Sequence, residues 1–310
     1  MKARVLKIGT RDSKLALWQA TRVQQLLKEQ GIESELVPVK SEGDLDLVTP
    51  LYAMGVQGVF TKTLDAYLLS EKIDIAVHSM KDVPTQLAVG IKQGAVLKRA
   101  SEMDLLVYKD NAFLNSFMAE TSGELTGLIA TGSVRRKAQL LHRFPALQIE
   151  NLRGNVQTRL QKLHSSNWDG AIFAAAGLER IGERPALAIE IPWMLPAPAQ
   201  GAIMVVARTN DTQALKALGS LNDAPTALCT KIERDFLSTL MGGCSTPISA
   251  RAQIKQDKIH FEGNILSLDG KEIFEIEQTV ASSDISVGQQ AATTLLNKGA
   301  SSLVASIRNL

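Results

Sequence analysis

The chain has 310 residues, about twice the size of a typical single domain, so two or three domains are expected. Its 45% hydrophobic and 21% charged residues, with a mean hydropathy of +0.02, exclude a disordered, collagen-like or coiled-coil protein. The formal charge of +2 lacks the basic excess of a general nucleic-acid binder. The opening residues lack a signal-peptide core, and no stretch approaches the roughly 18 apolar residues of a membrane span. We therefore expect a soluble, cytoplasmic protein that binds neither nucleic acid nor membrane.

The first hundred residues alternate short β-branched runs with longer amphipathic patterns. Leu17, Val23 and Leu27 share one helical face, and residues 73–78 are a continuous apolar run typical of a buried parallel strand. This alternation predicts βαβ units with helices on both faces of a sheet. The predicted elements are a strand at 5–8, a helix from Ser13 to just before Gly31, a strand at 34–39, a helix at 60–69 and a strand at 73–78.

The same alternation recurs further along the chain and predicts a second, similar lobe. Ser133 can cap a helix that runs through Leu141 and ends before Pro145. A Pro-rich crossover at 192–201 precedes an apolar strand at 202–207, which is expected to return to the first lobe. The other predicted elements are strands at 127–130, 147–152 and 170–174 and a helix at 156–164.

The last third has a different pattern. An amphipathic helix at 226–240 leads into Met-Gly-Gly-Cys-Ser-Thr-Pro, and alternation around a turn at 268–270 predicts antiparallel strands over 258–280. A helix at about 287–297 closes a small α+β domain. The predicted fold class is therefore α/β, with two α/β lobes plus this C-terminal α+β domain. The predicted domains are 1–98 with 201–220 as a discontinuous first lobe, 103–196 as the second lobe, and 224–310.

Basic and hydroxyl residues recur where predicted strands end. In open α/β sheets, ligands bind beyond the carboxyl ends of the strands, where helix N-termini also favour anions. Several fixed cations at such an edge would bind a polycarboxylate or a phosphate, although any single arginine is equally compatible with a solvated surface pair. These strand-end residues are Arg11 and Ser13, then Ser79, Lys81 and Asp82, then Thr131, Ser133, Arg135 and Arg136, and finally Arg153.

Asp82 and Cys244 are the two candidates for chemistry. A lone aspartate in a loop is most often a cap or turn residue, but one carboxylate amid cations could also stabilise positive charge on a substrate. Cys229 on an apolar helix fits an inert core residue. Cys244 follows two glycines and precedes Ser-Thr-Pro, which favours an exposed thiol that serves as an attachment point or a nucleophile. Neither cysteine lies at metal-ligand spacing from a histidine, so no metal site is predicted.

Seven segments, in this order and spacing, resemble the porphobilinogen deaminase family, also called hydroxymethylbilane synthases. The resemblance covers essentially the whole chain. The segments are IGTRDSKLALWQA (8–20), DIAVHSMKDVP (74–84), ATGSVRRKAQL (130–140), NLRGNVQTRL (151–160), AAAGLERIG (174–182), PAPAQGA (196–202) and MGGCSTPI (241–248).

The resemblance implies a three-domain enzyme, a transferase of tetrapyrrole and heme biosynthesis. Two lobes would look like the halves of a periplasmic binding protein, and the third domain would present a cysteine that holds a dipyrromethane cofactor. Such enzymes join four porphobilinogen units head to tail, release ammonia each time, and free hydroxymethylbilane by hydrolysis. The family further suggests a monomer that needs no metal.

The resemblance also implies roles for individual residues. Cys244 corresponds to the cysteine that holds the cofactor through a thioether, and Asp82 corresponds to the catalytic aspartate, expected to stabilise positive charge at a pyrrole nitrogen. The growing chain carries acetate and propionate groups, so a cationic cleft is implied. The implied cofactor-binding residues are Ser13, Ser79, Lys81, Thr131, Ser133, Arg135, Arg136 and Gly201, and the implied substrate-binding residues are Arg11, Arg153, Arg159, Arg180 and Gln200.

Four positions depart from the family pattern. Gln57 replaces a loop lysine, Glu42 stands where a basic residue is common, Gly132 replaces a hydroxyl residue, and Met241 replaces an acidic residue before Gly-Gly-Cys. None of them touches the implied catalytic aspartate or cofactor cysteine, so activity is expected. Two alternatives stay open at this point: a non-catalytic binder of an anionic small molecule on the same scaffold, and a degenerate paralogue.

Overall fold

The computed structural model describes residues 4–40, 61–119, 125–240 and 246–308. These residues form two α/β lobes, each built on a five-stranded sheet, and a C-terminal domain with a three-stranded sheet. In this part of the chain, no helix is both long and apolar enough to cross a membrane.

The first half of the chain contains most elements of the first lobe and the start of the second. In chain order they are β1 (Leu6–Arg11), α1 (Lys14–Glu29), β2 (Ser34–Val39), α2 (Lys62–Leu69), β3 (Ile75–Ser79), a 3-10 turn (Met80–Asp82), β4 (Ile91–Val96), β5 (Asp104–Tyr108), α3 (Asn111–Met118), β6 (Gly127–Ala130) and α4 (Val134–Arg143).

The second half completes both lobes and adds the C-terminal domain. Its elements are β7 (Leu147–Glu150), α5 (Val156–Ser165), β8 (Gly170–Ala174), α6 (Ala175–Arg180), β9 (Ala188–Glu190), β10 (Ile203–Arg208), α7 (Thr212–Gly219), α8 (Ala224–Thr239), β11 (Ile248–Lys255), β12 (Lys258–Leu266), β13 (Ile273–Ala281), α9 (Val287–Leu295), a kinked turn (Leu296–Ala300) and α10 (Ser301–Arg308).

The two large sheets have the same spatial order of parallel and antiparallel strands, although the fourth strand comes last in the chain in the first sheet and first in the second. The first has the order β2-β1-β3-β10-β4, with β1 parallel to β2 and β3, and with β10 antiparallel to β3 and β4. The second has the order β7-β6-β8-β5-β9, with β6 parallel to β7 and β8, and with β5 antiparallel to β8 and β9. The prediction of two similar α/β lobes is confirmed, and the strand predicted at 202–207 does return to the first sheet as β10.

The C-terminal domain packs helices on one antiparallel sheet of order β11-β12-β13. Phe236 of α8 stacks edge-on against Phe261 of β12, with ring centroids 5.2 Å apart, in a core that also contains Leu295 of α9. The predicted turn at 268–270 joins β12 to β13. The prediction of a small α+β domain is therefore confirmed.

Local sequence signals explain where the helices that matter for the site begin. Ser13 caps α1 by accepting from the Ala16 N–H, and Ser133 caps α4 by accepting from the Arg136 N–H. Asp223 caps α8 in the same way through the Thr226 N–H. The predicted strands omit β4, β5, β9 and β11. The partners of β4, β5 and β9 lie far away in the chain, whereas β11 pairs with the next strand, β12.

Candidate active site

Predicted site residues from both lobes lie near one another at the carboxyl ends of strands. Arg11 ends β1, Asp82 ends the turn after β3, and Arg153 follows β7. Arg159 on α5 lies within electrostatic reach of all three and of Arg136 on α4. Burial lowers the pKa of Arg159 to about 10, and the neighbouring arginines act in the same direction, while Asp82 opposes them. The structure thus brings cations of the two lobes together around one carboxylate.

Lys81 belongs to the same group. Burial lowers its pKa to about 8, and the positive charge of Arg136 adds to the effect, whereas Asp82 and Asp104 raise it. The Lys81 ammonium also donates to Oε1 of Gln200 over 3.3 Å. We call the group the strand-end cluster; its members are Arg11, Lys81, Asp82, Arg136, Arg153 and Arg159.

Asp82 supplies the negative charge of the strand-end cluster. It ends the 3-10 turn that directly follows the buried strand β3, and Lys81 and Arg159 are close enough to sense its charge. Its side chain is only partly buried, and no described residue donates a hydrogen bond to it. The carboxylate is therefore available to a bound ligand.

Asp104, which sequence reasoning did not single out, is fully buried against Arg135 and Arg136. Nη2 of Arg135 donates to Oδ2 over 2.7 Å, while Nη2 and Nε of Arg136 donate to Oδ1 over 2.7 and 3.2 Å. Burial acts to raise the pKa of Asp104, but the two guanidinium groups outweigh it and hold the pKa well below its usual range. The sequence pattern that could have indicated a buried ion pair is a carboxylate at the first position of an otherwise apolar strand, Asp-Leu-Leu-Val-Tyr.

The contact with Asp104 holds both arginines in place, and the group of three side chains keeps a net charge of +1. Nη1 of Arg135 donates to the Leu195 carbonyl over 2.7 Å, and Nη1 of Arg136 donates to the Ile172 carbonyl over 3.1 Å. Nε of Arg135 is buried and has no hydrogen-bond partner among the described residues. Two guanidinium groups share one carboxylate, so an anionic ligand can take up the remaining charge.

The predicted hydroxyl residues hold the turns at the strand ends. Ser13 and Ser133 cap helices, so their oxygens accept from backbone N–H groups and each hydroxyl hydrogen stays available for a ligand. Ser79 and the Gln19 side chain are 2.9 Å apart, and Oγ1 of Thr131 accepts from the Ser133 N–H over 3.3 Å.

Gly132, one of the departures from the family pattern, lies where space is short. A Cβ at this position would approach the Leu152 carbonyl oxygen to 2.4 Å, closer than real side chains come to backbone. The glycine therefore permits the close approach of the loop after β6 to the end of β7.

Gln200 and Gly201 join the crossover to the site. Nε2 of Gln200 donates to Oδ1 of Asp104 over 2.9 Å and to the Glu102 carbonyl over 2.7 Å. Gly201 has φ +83°, and a Cβ there would lie 2.7 Å from the carbonyl oxygens of Ala100 and Ser101. Only glycine fits this conformation and this contact.

Arg180 connects the two lobes. Its Nη2 donates to the Gly201 carbonyl over 2.6 Å, and its guanidinium carbon lies 5.8 Å from the ring centroid of Trp18 on α1. Burial lowers its pKa to about 10, with Glu179 acting in opposition. In this conformation Arg180 is engaged with the crossover and with α1.

Of the two cysteines, Cys229 lies within the described residues. Cys229 lies on α8 in the core of the C-terminal domain, and burial raises the pKa of its thiol to about 11, so it is an inert core residue. Cys244 lies outside the described residues, as do Gln57, Glu42 and Met241. Among the described residues, no group of three or more His, Cys, Asp or Glu side chains could hold a metal ion.

Glu233, which the sequence did not indicate either, connects the C-terminal domain to Arg99 and to the crossover. It is fully buried on α8 and accepts from both Nη atoms of Arg99, over 2.6 and 3.0 Å. It also accepts from the backbone N–H of Ala199 over 2.7 Å and of Ala252 over 2.8 Å. Nε of Arg99 in turn donates to the Gln200 carbonyl over 2.8 Å, so the contacts reach the site.

Two family models match the chain. The model described as "Porphobilinogen deaminase, dipyromethane cofactor binding domain" matches residues 6–216, and the one described as "Porphobilinogen deaminase, C-terminal domain" matches residues 227–297. Together they span both lobes and most of the C-terminal domain.

Curated relatives are similar over full length. Porphobilinogen deaminase of Syntrophotalea carbinolica is 40% identical over 99% of this chain and 97% of its own. That of Listeria innocua is 39% identical over 100% of both chains, and that of Desulfitobacterium hafniense is 41% identical over 98% of this chain and 97% of its own. Among solved structures, an ancestral cationic amino acid solute binding protein has a TM-score of 0.45 and 16% identity, covering 70% of this chain and 87% of that one. The sequence similarity extends well beyond the seven motifs.

Proposed function

The chain belongs to the porphobilinogen deaminase family, and from that premise we propose that its strand-end cluster binds and polymerises porphobilinogen on a dipyrromethane group held by Cys244. The protein is a transferase of tetrapyrrole biosynthesis, a hydroxymethylbilane synthase.

The observation that carries the proposal is the strand-end cluster, with its one open carboxylate amid cations of both lobes. Porphobilinogen carries an acetate and a propionate, and each added unit brings two more carboxylates. Guanidinium groups bind carboxylates through paired N–H donors, which a partly buried cleft strengthens. The excess of cations over Asp82 and Asp104 matches such a polyanion in sign.

The residues present fit a dipyrromethane group. Nε of Arg135, buried without a partner among the described residues, and the Ser13 and Ser133 hydroxyls can donate to its carboxylates. When bound, this group supplies the pyrrole carbon to which new units are joined. The residues that would hold it are Cys244, Ser13, Ser79, Lys81, Thr131, Ser133, Arg135, Arg136 and Gly201.

We assign the incoming substrate to the arginines near Asp82 that the cofactor does not use. Arg11, Arg153 and Arg159 would bind its carboxylates, while Arg180 and Gln200 would act from the crossover. When the C–N bond of the aminomethyl group breaks and ammonia leaves, positive charge spreads to the pyrrole nitrogen of the substrate. The Asp82 carboxylate would stabilise this charge and accept or return the proton at that nitrogen. The arginines would hold the substrate in line for this contact.

The proposal extends to domains, partners and location. The first lobe comprises 1–98 with 201–220, the second lobe 103–196, and the C-terminal domain 224–310, and the pairing of β10 with β3 supports the discontinuous first lobe. We assign a cytoplasmic monomer that binds porphobilinogen and no nucleic acid. The formal charge of +2 supports the last point.

Intact-mass measurement of the purified protein, with and without added porphobilinogen, tests the proposal. The wild-type protein should exceed its sequence mass by one dipyrromethane, and substrate should add further pyrrole units. Cys244→Ser should show the sequence mass alone, whereas the matched control Cys229→Ser should keep the added mass.

Each other outcome has a definite meaning. A wild-type protein at its sequence mass would indicate a non-catalytic binder. One that carries the cofactor but adds no pyrrole units would indicate a degenerate paralogue. Added mass that persists in Cys244→Ser would refute the assignment of that cysteine.

A further inference from the structure

Arg234 reaches from the C-terminal domain to the turn that carries Asp82. It lies on α8 and is buried, with 9% of its surface exposed. Its Nη1 donates to the Val83 carbonyl over 2.8 Å and, at a longer 3.4 Å, to the Met80 carbonyl. Its Nη2 donates to the Pro84 carbonyl over 2.5 Å. One guanidinium group therefore holds backbone on both sides of Asp82.

Besides Arg234, the turn is held by the Met80 and Val83 side chains, which are buried in the core of the first lobe, by the contact of Lys81 with Gln200, and by two backbone hydrogen bonds. None of these contacts acts on the carbonyls of Val83 and Pro84, which follow Asp82. Within its own backbone, the Val83 N–H donates to the Met80 carbonyl over 3.1 Å, and the Met80 N–H donates to the Ala202 carbonyl over 3.0 Å. Asp82 itself receives no hydrogen bond from the described residues. The planar fork of an arginine can meet several carbonyls at fixed angles, which a lysine ammonium cannot do.

The helix that carries Arg234 is itself firmly placed. The preceding residue, Glu233, binds Arg99 and the backbone of Ala199 and Ala252. Two adjacent residues of α8 thus contact the first lobe, the crossover and the C-terminal sheet. In sequence, α8 ends at Thr239, five residues before Cys244.

We propose that Arg234 is a positioning residue for Asp82, acting through the backbone of residues 80–84 from the C-terminal domain. The inference rests on the proposed function, because it assigns Arg234 to the carboxylate used there. It makes one helix responsible for two things: it leads in sequence to the cofactor cysteine, and it orients the turn of the catalytic aspartate. Arg234 touches neither substrate nor cofactor in this assignment.

A double-mutant cycle between Arg234→Gln and Asp82→Asn tests the inference in the cofactor-loaded enzyme. A misplacement of about 1 Å costs on the order of 100-fold in rate, so Arg234→Gln should lower kcat by roughly 10- to 100-fold. The KM for porphobilinogen should change by less than about threefold, because the carboxylate-binding arginines stay in place. In the Asp82→Asn background, Arg234→Gln should lower the residual rate by less than about twofold, since the group it positions is already gone.

Two comparison variants separate positioning from a general structural role. Arg234→Lys keeps the charge and an ammonium donor but loses the planar fork, and should recover at least about threefold of the kcat lost in Arg234→Gln. Arg251→Gln removes an arginine of the same domain that pairs with Glu262, away from the turn, and should keep kcat within about twofold of wild type. Thermal unfolding of every variant checks that the domain is folded.

Failure of the positioning role of Arg234 and failure of the proposed function give different results. Equal loss of rate in the wild-type and Asp82→Asn backgrounds, or a wild-type kcat in Arg234→Gln, would overturn the positioning role and leave the function intact. If Arg234→Gln does not fold, Arg234→Lys takes its place in the cycle under the same criteria. A wild-type protein without bound dipyrromethane and without turnover would overturn the proposed function itself.

Discussion

Replacing Asp104 by asparagine should destabilise the second lobe more than any surface substitution. Asp104 is fully buried and accepts from Arg135, from Arg136 and from Nε2 of Gln200. Asparagine has nearly the same shape but no charge, and its amide would turn an N–H donor toward a guanidinium donor. The two arginines would then be buried without a counter-charge.

The expected loss follows from the geometry of these contacts. Removing one partner of a buried, hydrogen-bonded ion pair costs about 3–5 kcal/mol, because the remaining charge is desolvated and unpaired. If the two lobes, about 220 residues, unfold as one unit at roughly 2–4 °C per kcal/mol, their Tm should fall by roughly 6–20 °C. The Asp104 carboxylate has a pKa held below its usual range, so its contribution is fully present above the unfolded pKa of about 3.9 and is lost only as pH falls through the folded value.

Differential scanning calorimetry between about pH 2.5 and pH 8, a range that extends below the unfolded pKa of about 3.9, would measure this loss. Asp223→Asn serves as control, since asparagine also caps helix α8 and should cost about 1 kcal/mol or less. The difference between wild type and Asp104→Asn should stay constant from pH 8 to pH 5 and narrow below about pH 4. A Tm for Asp104→Asn within 2 °C of the Asp223→Asn control, a margin set at about the resolution of the method, would refute the reasoning.

Two further predictions concern the protonation of Lys81 and the room for a side chain at Gly132. Loading of dipyrromethane onto cofactor-free protein should decline as pH rises through about 8, because Lys81 loses its charge there. Lys81→Arg should remove this alkaline decline. If the pH dependence of loading is the same in Lys81→Arg and wild type, Lys81 is excluded from the cofactor site. Gly132→Ser, which restores the hydroxyl common in the family, should lower rather than raise stability, by about 1–3 kcal/mol in chemical unfolding, because its Cβ would meet the Leu152 carbonyl at 2.4 Å.

The sequence predicted the location of the cluster because that depends on a general property of sheets. Carboxyl ends of parallel strands meet at one edge, so Arg11 after β1 and Arg153 after β7 could be expected to face the same cleft. The charges that Arg159 senses from Arg11, Arg153 and Asp82 agree with that expectation. Helix starts were also predictable, since Ser13 and Ser133 cap locally.

What the sequence did not predict depends on contacts between distant residues. Asp104 meets Arg135 only because β5 inserts antiparallel beside β8, which places its first residue against the start of α4. Arg234 lies about 150 residues from the turn it contacts, and no periodicity relates the two. Charged residues on apolar helix faces or at the start of apolar strands were the one visible signal of such pairs.

The position of β10 in the first sheet also bears on how this protein is made. β10 lies between β3 and β4, so the first sheet stays open until Arg208 has been synthesised, after every strand of the second sheet. At about 5–20 residues per second, the roughly 110 residues from β4 to the end of β10 take roughly 5–20 s. During that time the facing edges of β3 and β4 lack their partner and are open to wrong pairing. The second lobe can therefore be complete on the ribosome before the first, although the first begins the chain.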